Sequence, residues 1–405
     1  MIVLQVIDEI SEEIVINREN ISKDSGIGLF SGNAGIALFL FHLHEFSRKE
    51  EHKEAAQFYL EKCFEEINNT GFSLPTLCSG IAGVAWTVNY LAKHSLIGKE
   101  NLEVLDDLDE YLFNSMVSYT NQGNFDFLHG ATGIALYFIS RIDKNPKAAN
   151  YLKEYVDALK ECSIFDAETN TAKIVSTIQD KDKNPRKVFN LSMAHGMSSI
   201  IAILAKISEK DETNLNAKCL LEGFSNYIIL NENINKFENG SMFNTSVELD
   251  QGQENSQPSG SRLGWCYGDM GNGFALYHAY KATGIEKYYE KSLEIFLNSA
   301  KRKDLKKQAI MDACICHGTA GIIDIFKTVH ECFGNNEFLK AENYWAELTL
   351  DFYNNAKGLK GFCKYAIDGP KYSHNFLEGT AGIGLALLFH HTGKKSEWNE
   401  FLLSR

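Results

Sequence analysis

The sequence predicts an all-α fold, an α/α toroid in which seven inner helices are surrounded by seven outer helices. Three observations lead to this prediction. A glycine turn followed by an apolar run recurs seven times, one-sided amphipathic segments separate the runs, and five prolines in 405 residues with little strand-like alternation indicate a mostly helical chain. Internal repeats define an architecture before any local pattern does, so we expect a single domain over residues 1–405.

The inner helices follow the glycine turns. Each turn is followed by a run of about ten residues that is apolar almost all round, which is typical of a helix buried on every side. Glycine permits a tight turn with positive φ and lets neighbouring backbones approach closely where helices converge. One such turn would indicate an ordinary helix connection, but seven indicate a shared architecture. The first glycines are Gly32, Gly80, Gly130, Gly196, Gly268, Gly318 and Gly379, in "FSGNAGIALFLF", "CSGIAGVAWTVN", "LHGATGIALYFI", "AHGMSSIIAILA", "CYGDMGNGFALY", "CHGTAGIIDIFK" and "LEGTAGIGLALL".

The outer helices are predicted from the segments between the apolar runs. Apolar residues there recur at helical spacing while Glu and Lys fill the opposite face, as in "EHKEAAQFYLEKCFEEIN", "KYYEKSLEIFLNSA" and "NYWAELTLDFYNNA". Two longer polar segments, 163–190 before repeat four and 233–264 before repeat five, are rich in turn-forming residues. We expect them to be long rim loops with short strands, placed where substrate contacts are common.

The composition and the N-terminal sequence argue against several classes of protein. A net charge of −13 argues against nucleic acid as a partner, because phosphate binding needs a surplus of lysine and arginine. The N-terminus "MIVLQVIDEISEEIVINREN" lacks the basic start of a signal peptide, and no apolar run is long enough to span a bilayer. We therefore predict a cytoplasmic protein whose nine cysteines are reduced.

Alignment of the repeats brings two cysteines and a histidine to equivalent places. The position two residues before the first glycine, called here the aligned position, holds Cys266 in repeat five and Cys316 in repeat six, and His317 follows Cys316. Because repeats five and six are neighbours in a ring, these side chains should converge. Two thiolates and one imidazole suit zinc, and three protein ligands leave a fourth tetrahedral position open, as in catalytic sites.

Structural roles for these residues remain an alternative. Buried cysteines and a core histidine are common in proteins without any metal. Two further cysteines compete for the ligand role: Cys314, which is off the aligned position, and Cys78, which is aligned but lies in repeat two.

Other titratable residues occupy the same level of the predicted toroid. His195 in repeat four is a candidate proton donor or base, although a core histidine bonded to a carbonyl would look the same in sequence. Asp126 could orient His195 or pair with a cation, although capping a helix is the commoner use of such an aspartate. Arg262, four residues before Cys266, would add a positive charge, although alone it would be a surface arginine.

The motifs "AHG", "RLGWCYGDMG" and "CHGTAG", together with the sevenfold glycine turn, resemble the LanC family of lanthionine synthetase cyclases over nearly the whole chain. The resemblance implies one zinc ion bound by Cys266, Cys316 and His317. It also implies His195 as the acid/base residue, Asp126 and Arg262 as a supporting polar pair, and Tyr267 as a further site residue.

The implied activity is a Michael-type addition of a peptide cysteine thiol to dehydroalanine or dehydrobutyrine, giving lanthionine or methyllanthionine rings. The implied form is a stand-alone class I cyclase. Its implied partners are a dehydrated precursor peptide with its leader, a lanthipeptide dehydratase and an export transporter, in a biosynthetic complex peripheral to the membrane. Repeat four departs from the pattern, since "GMSSI" lacks the second glycine.

Two other functions remain open from the sequence. A LanC-like scaffold that binds peptide or glutathione thiols without cyclising them would share every zinc ligand. A toroid hydrolase would need a base for metal-bound water or, in a glycosidase, two facing acids. Only Glu378 among the residues that directly precede the first glycines is acidic, which disfavours a glycosidase.

Overall fold

A computed structural model describes residues 2–71, 74–179, 184–211, 213–250, 253–255, 260–366 and 369–405. These residues are mostly helical, which confirms the predicted all-α class. They form two compact units. Unit 1 comprises Met1–Asn114 with Met311–Ser396, and unit 2 comprises Ser115–Ile310 with Glu397–Arg405. The single domain over 1–405 stays a prediction.

The seven predicted inner helices are all present, and each begins at the residue after its first glycine. Their side chains are buried almost all round; in the second of them every residue from Ile81 to Ala92 is buried, as expected of a helix enclosed by others. They are α3 (Asn33–Ser47), α5 (Ile81–Lys93), α7 (Ala131–Arg141), α9 (Met197–Lys210), α11 (Asp269–Thr283), α13 (Thr319–Phe333) and α15 (Thr380–Thr392).

Amphipathic helices cover the inner ones. Six of them follow an inner helix in the chain, and α1, at the N-terminus, packs against α15 and so supplies the seventh. Their bounds are α1 (Ile2–Ile16), α4 (Glu50–Thr70), α6 (Val104–Asn121), α8 (Ala148–Cys162), α10 (Leu215–Leu230), α12 (Glu286–Ser299) and α14 (Asn336–Ala356); a short α2 (Arg18–Asp24) follows α1. Within the described parts of the chain, none of these helices combines the length and apolar character that crossing a membrane requires.

The two long segments contain strands, as predicted, and they pair with each other. Strand β4 of the first segment runs antiparallel to β5 of the second, with Phe189 opposite Val247, so that both segments contribute to one sheet of order β3-β4-β5-β6. Positions 180–183, 251–252 and 256–259 of these segments lie outside the described residues. The strands are β1 (Ile164–Asp166), β2 (Thr171–Lys173), β3 (Ser176–Gln179), β4 (Pro185–Asn190), β5 (Ser246–Asp250), β6 (Gln253–Asn255), β7 (Lys364–Ala366) and β8 (Gly369–Lys371).

The turns before the inner helices need glycine because a backbone carbonyl approaches the glycine Cα closely, and not because φ is positive. The first glycines all have negative φ, from −105° at Gly318 to −158° at Gly268, so the expected positive φ is wrong. A Cβ at any of the seven would lie 2.1 to 2.8 Å from the carbonyl oxygen six residues earlier, too close for two unbonded atoms. The chain doubles back so tightly that this carbonyl occupies the space of a side chain.

Backbone hydrogen bonds link neighbouring turns at the aligned position. Within each unit, one turn donates its peptide N–H to the carbonyl of the next. The bonds run from Phe30 to Cys78 (3.0 Å), from Leu377 to Phe30 (2.8 Å) and from Cys316 to Leu377 (3.0 Å) in unit 1, and from Ala194 to Cys266 (3.3 Å) in unit 2. Residues that the sequence alignment treated as equivalent therefore make equivalent contacts.

We predict that Gly32→Ala destabilises the protein while Gly26→Ala does not. A Cβ at Gly32 would lie 2.1 Å from the Gly26 carbonyl oxygen, whereas a Cβ at Gly26 meets nothing within 4 Å. Overpacking of this kind costs about 1–3 kcal/mol, and a change at an open site stays within about 0.5 kcal/mol. Urea unfolding midpoints measure both; equal midpoints for the two variants would contradict the steric explanation.

Candidate catalytic site and metal ligands

His195 and Asp126 form a hydrogen-bonded pair in unit 2. His195 lies in the turn before α9, and Asp126 lies in the turn before α7. The Nδ1 atom of His195 is 2.7 Å from Oδ2 of Asp126, while Oδ1 of Asp126 accepts the backbone N–H of His129 at 2.7 Å. The two carboxylate oxygens therefore have separate roles, since Oδ1 shapes its own turn and Oδ2 holds the imidazole.

The contact with Asp126 affects the pKa of His195. Burial lowers the pKa of the imidazole, but the hydrogen bond and charge of Asp126, with a smaller contribution from Cys266, raise it, and the net direction is upward. Both side chains keep about a quarter of their surface exposed, 25% for His195 and 23% for Asp126. The imidazole is thus reachable and biased toward its protonated form.

Two further rings lie beside His195. The Tyr267 ring centroid is 5.5 Å away and the His129 centroid is 5.9 Å away, with the His129 ring nearly parallel to that of His195. Burial lowers the pKa of His129, and the charge of Asp126 opposes that effect. The sequence did not single out His129, although it directly precedes the first glycine of its repeat as His195 does, and that equivalence could have identified it.

A cavity of about 570 Å³ opens onto this pair. The turn before α7 forms one side, and residues of β3 and the segment preceding it, Val175 to Ile178, form another. His195, Tyr267 and Asn190 also line the cavity. The long segment before repeat four therefore contributes a wall of the site, as expected of a rim loop.

Arg262 is held by backbone contacts near Cys266. Its guanidinium donates a hydrogen bond to the carbonyl of Ala309, and its backbone forms a parallel bridge with Gly268. Its Nε is buried and has no hydrogen-bond partner among the described residues. Its one side-chain hydrogen bond in the described chain thus goes to Ala309 and not to His195 or Asp126.

A buried ion pair that sequence reasoning missed supports the turn containing Cys266 and Tyr267. Asp269, the first residue of α11, lies 3.0 Å from Nη1 of Arg302 and accepts the Ser261 hydroxyl at 2.6 Å. The Asp269 carboxylate also accepts the backbone N–H groups of Met242 and Phe243. Because buried charges need this many partners, the network ties the loop before the turn to the start of α11.

Two of the three predicted zinc ligands, Cys316 and His317, lie in unit 1. Cys316 is partly exposed, and its backbone is fixed by the bond to Leu377. His317 has 19% of its side chain exposed, and its Nε2 lies 3.7 Å from Oδ2 of Asp312, which is almost fully buried. Burial raises the pKa of Asp312, but the neighbouring His317 lowers it, and the net direction is downward.

The side chains offer donors that suit zinc. All nine cysteines carry thiols that are not in disulfide bonds, and thiolate with imidazole is the donor set that zinc prefers. In unit 2, the Cys266 thiol is buried. In unit 1, Asp312, Cys314 and His317 form a group whose ligand atoms lie within 4.8 Å of one another, so Cys314 remains a competitor for Cys316.

Glu378, the acidic residue that directly precedes the first glycine of repeat seven, is paired with a basic side chain. Its carboxylate forms an ion pair with Lys364 of β7, and its backbone N–H donates to the Asn375 side chain. Its charge is already compensated.

Comparison with known proteins identifies the relatives of this chain. The family model described as "Lanthionine synthetase C-like protein" matches residues 24–403. "Nisin biosynthesis protein NisC" of Lactococcus lactis subsp. lactis is 24% identical over 416 residues, covering 98% of this chain and 94% of that protein. The solved structure "Nisin cyclase" aligns with a TM-score of 0.78 at 19% identity, covering 97% of this chain and 96% of that one. The structural likeness confirms the predicted α/α toroid fold class.

We predict that Asp126→Asn lowers the pKa of His195, because an adjacent carboxylate stabilises the imidazolium. The stability that the pair contributes is present below the ordinary histidine pKa and is lost as pH rises through the raised one, so the variant should lose stability mainly at acidic to neutral pH. An NMR titration of the His195 ring measures the pKa. Asp143→Asn, at an exposed aspartate beside Lys210, is the control, and an unchanged pKa in the Asp126 variant would refute the assignment.

Proposed function

The chain belongs to the lanthionine synthetase C-like protein family, and from that premise we propose that it is a zinc-dependent peptide cyclase. The reaction adds cysteine thiols to dehydroalanine or dehydrobutyrine residues of a precursor peptide and forms lanthionine or methyllanthionine rings. The observation that carries this proposal is the His195–Asp126 pair, hydrogen-bonded at 2.7 Å and opening onto a cavity large enough for a peptide segment. One relative is named as a nisin biosynthesis protein and one solved structure is named as a nisin cyclase, which supports the proposal.

We propose Cys266, Cys316 and His317 as the zinc ligands. Cys266 and Cys316 are equivalent in the repeats and His317 directly follows Cys316, which supports this choice, as do the free thiols and the partial exposure of Cys316 and His317. When bound, zinc supplies a Lewis acid that keeps the substrate thiol, whose ordinary pKa is about 8.5, ionised at neutral pH. Held by these three side chains, the ion would remain accessible to that thiol.

His195 is the proposed proton donor. Addition of sulfur to the β-carbon moves electrons to the α-carbon and its carbonyl, so a proton must reach the α-carbon. Asp126 holds Nδ1 and favours the imidazolium, which directs the acidic Nε2–H toward the cavity. The thiol loses one proton and the α-carbon gains one. The reaction is therefore balanced without an oxidant or a reductant.

Arg262 and Tyr267 have supporting roles in this proposal. The guanidinium of Arg262, held by its hydrogen bond to Ala309, supplies a positive charge near Cys266 that favours the negative charge developed during the addition. The Tyr267 ring packs beside His195 and limits how far the imidazole can turn. We further propose a dehydrated precursor peptide with its leader as substrate, a dehydratase and an export transporter as partners, and action in the cytoplasm beside the membrane.

We predict one zinc ion per chain, lost in Cys266→Ala and Cys316→Ala. Removing one of two thiolates from a three-residue site leaves too few ligands to hold the metal. Cys314→Ala is the matched control, because Cys314 is a nearby thiol off the aligned position, and it should keep its zinc. Elemental analysis of the purified proteins measures the zinc content per chain. Loss of zinc from the Cys314 variant and its retention in the Cys316 variant would overturn the ligand assignment.

Cyclisation is tested with a synthetic peptide that carries one dehydroalanine and one cysteine. Ring formation leaves the mass unchanged, so thiol alkylation followed by mass spectrometry counts the cysteines that have not reacted. The zinc-loaded protein should reduce alkylation relative to a sample without enzyme, and His195→Asn should slow this by roughly 100-fold or more. His391→Asn, at an exposed histidine near the end of α15, is the control. Peptide binding without any fall in alkylation would instead support the non-cyclising scaffold.

A further inference from the structure

Asp312 contacts a proposed zinc ligand from a buried position, and its role is not explained by the turn alone. We propose that Asp312 is a positioning residue for His317: its carboxylate receives the Nε2–H of the imidazole and thereby selects Nδ1 as the metal-binding nitrogen. This inference rests on the proposed zinc site and concerns one ligand within it.

The turn before α13 fixes Asp312 through its backbone and one carboxylate oxygen. The Asp312 carbonyl accepts the N–H of Thr319 at 3.2 Å, and Oδ1 accepts the N–H of Cys314, two residues on, at 3.1 Å. Asn124 and Asn190 occupy the same place in repeats three and four, and each side-chain oxygen likewise accepts the N–H two residues on, at 3.2 and 3.0 Å. An amide is therefore sufficient for the turn.

The second oxygen is what distinguishes repeat six from those two repeats. In asparagine that atom is an NH₂ donor, whereas Oδ2 of Asp312 can only accept. It accepts the N–H of Tyr365 at 3.1 Å and lies 3.7 Å from Nε2 of His317, so a small rotation of the imidazole completes a hydrogen bond. An acceptor at Nε2 favours the tautomer with the proton there, and metal-binding histidines commonly have such a partner on their other nitrogen.

His195 shows the opposite arrangement at the equivalent place in repeat four. Both histidines directly precede the first glycine of their repeats, and both face an aspartate. Asp126 lies at Nδ1 of His195, which directs Nε2 toward the cavity for proton transfer. Asp312 lies at Nε2 of His317, which assigns Nδ1 to the metal.

Direct coordination by Asp312 is the competing explanation, because Asp312, Cys314 and His317 lie close enough to share an ion. Two features disfavour it. Each carboxylate oxygen already accepts a backbone N–H group, from Cys314 and from Tyr365, and a metal would compete with these bonds. Cys314 also lies outside the position at which neighbouring turns meet.

The first test uses the unaltered zinc-loaded protein. Nitrogen-15 NMR of the His317 ring distinguishes a protonated nitrogen from a metal-bound one. We expect a proton on Nε2 and the metal on Nδ1; the reverse assignment would overturn the inference. This measurement does not depend on any variant folding correctly.

The second test compares Asp312→Asn with Asp351→Asn, an exposed aspartate on α14, by chelator competition for zinc. Loss of an outer hydrogen-bond partner weakens metal affinity by about 10–100-fold, so we expect that loss in the Asp312 variant alone, with one ion still bound at saturation. With cobalt(II), the Asp312 variant should show the same thiolate-to-metal absorption as the unaltered protein, whereas Cys316→Ala, which does not hold the metal, should lack it.

The outcomes separate this inference from the proposed function. Unchanged affinity in Asp312→Asn would refute the positioning role while leaving the zinc site intact. A variant that no longer binds one ion at saturation would identify Asp312 as a ligand and would also refute the positioning role. An unaltered protein that binds no zinc would refute both the proposed function and the inference.

Discussion

The hydrogen bond from one glycine turn to the next is the contact on which the rest of the structure depends. It joins backbone atoms at the aligned position, for example the N–H of Cys316 and the carbonyl of Leu377. Such a bond requires each turn to double back tightly, and only glycine leaves room for the carbonyl six residues earlier. Because the position is set by backbone atoms, its side chains are placed reproducibly, and they can vary from phenylalanine to cysteine without altering the scaffold.

The same turn holds two histidines in different surroundings. In repeat four it presents His195 with a carboxylate at Nδ1, and in repeat six it presents His317 with a carboxylate near Nε2. Asp126 comes from the turn of another repeat, whereas Asp312 comes from the turn of His317 itself. A repeated backbone with a few charged partners can thus hold one histidine for the proposed proton transfer and another for the proposed metal binding.

The surroundings of the site come from segments that break the repeat. Strand β4 pairs with β5 across about sixty residues of sequence, and β3, which pairs with β4, lines the cavity that contains His195. The Asp269–Arg302 pair lies beneath the second of these segments and ties it to α11. Removing one partner of a buried ion pair costs free energy of folding. The pair therefore holds the long segment in a defined arrangement beside the helices.

The sequence by itself determined the inner helices, the glycines before which they begin and the equivalence of the aligned positions, because glycine turns and apolar periodicity are local and were repeated seven times. It also identified Cys266, Cys316, His317 and His195 as candidates. Only the tertiary structure decided that the glycines have negative φ, that Asp126 holds Nδ1 of His195, and that Arg262 reaches Ala309. It likewise revealed the contact of Asp312 with His317 and the pairing of β4 with β5. These features join residues through a side-chain rotamer or a distant strand register, and neither leaves a periodic pattern in the chain.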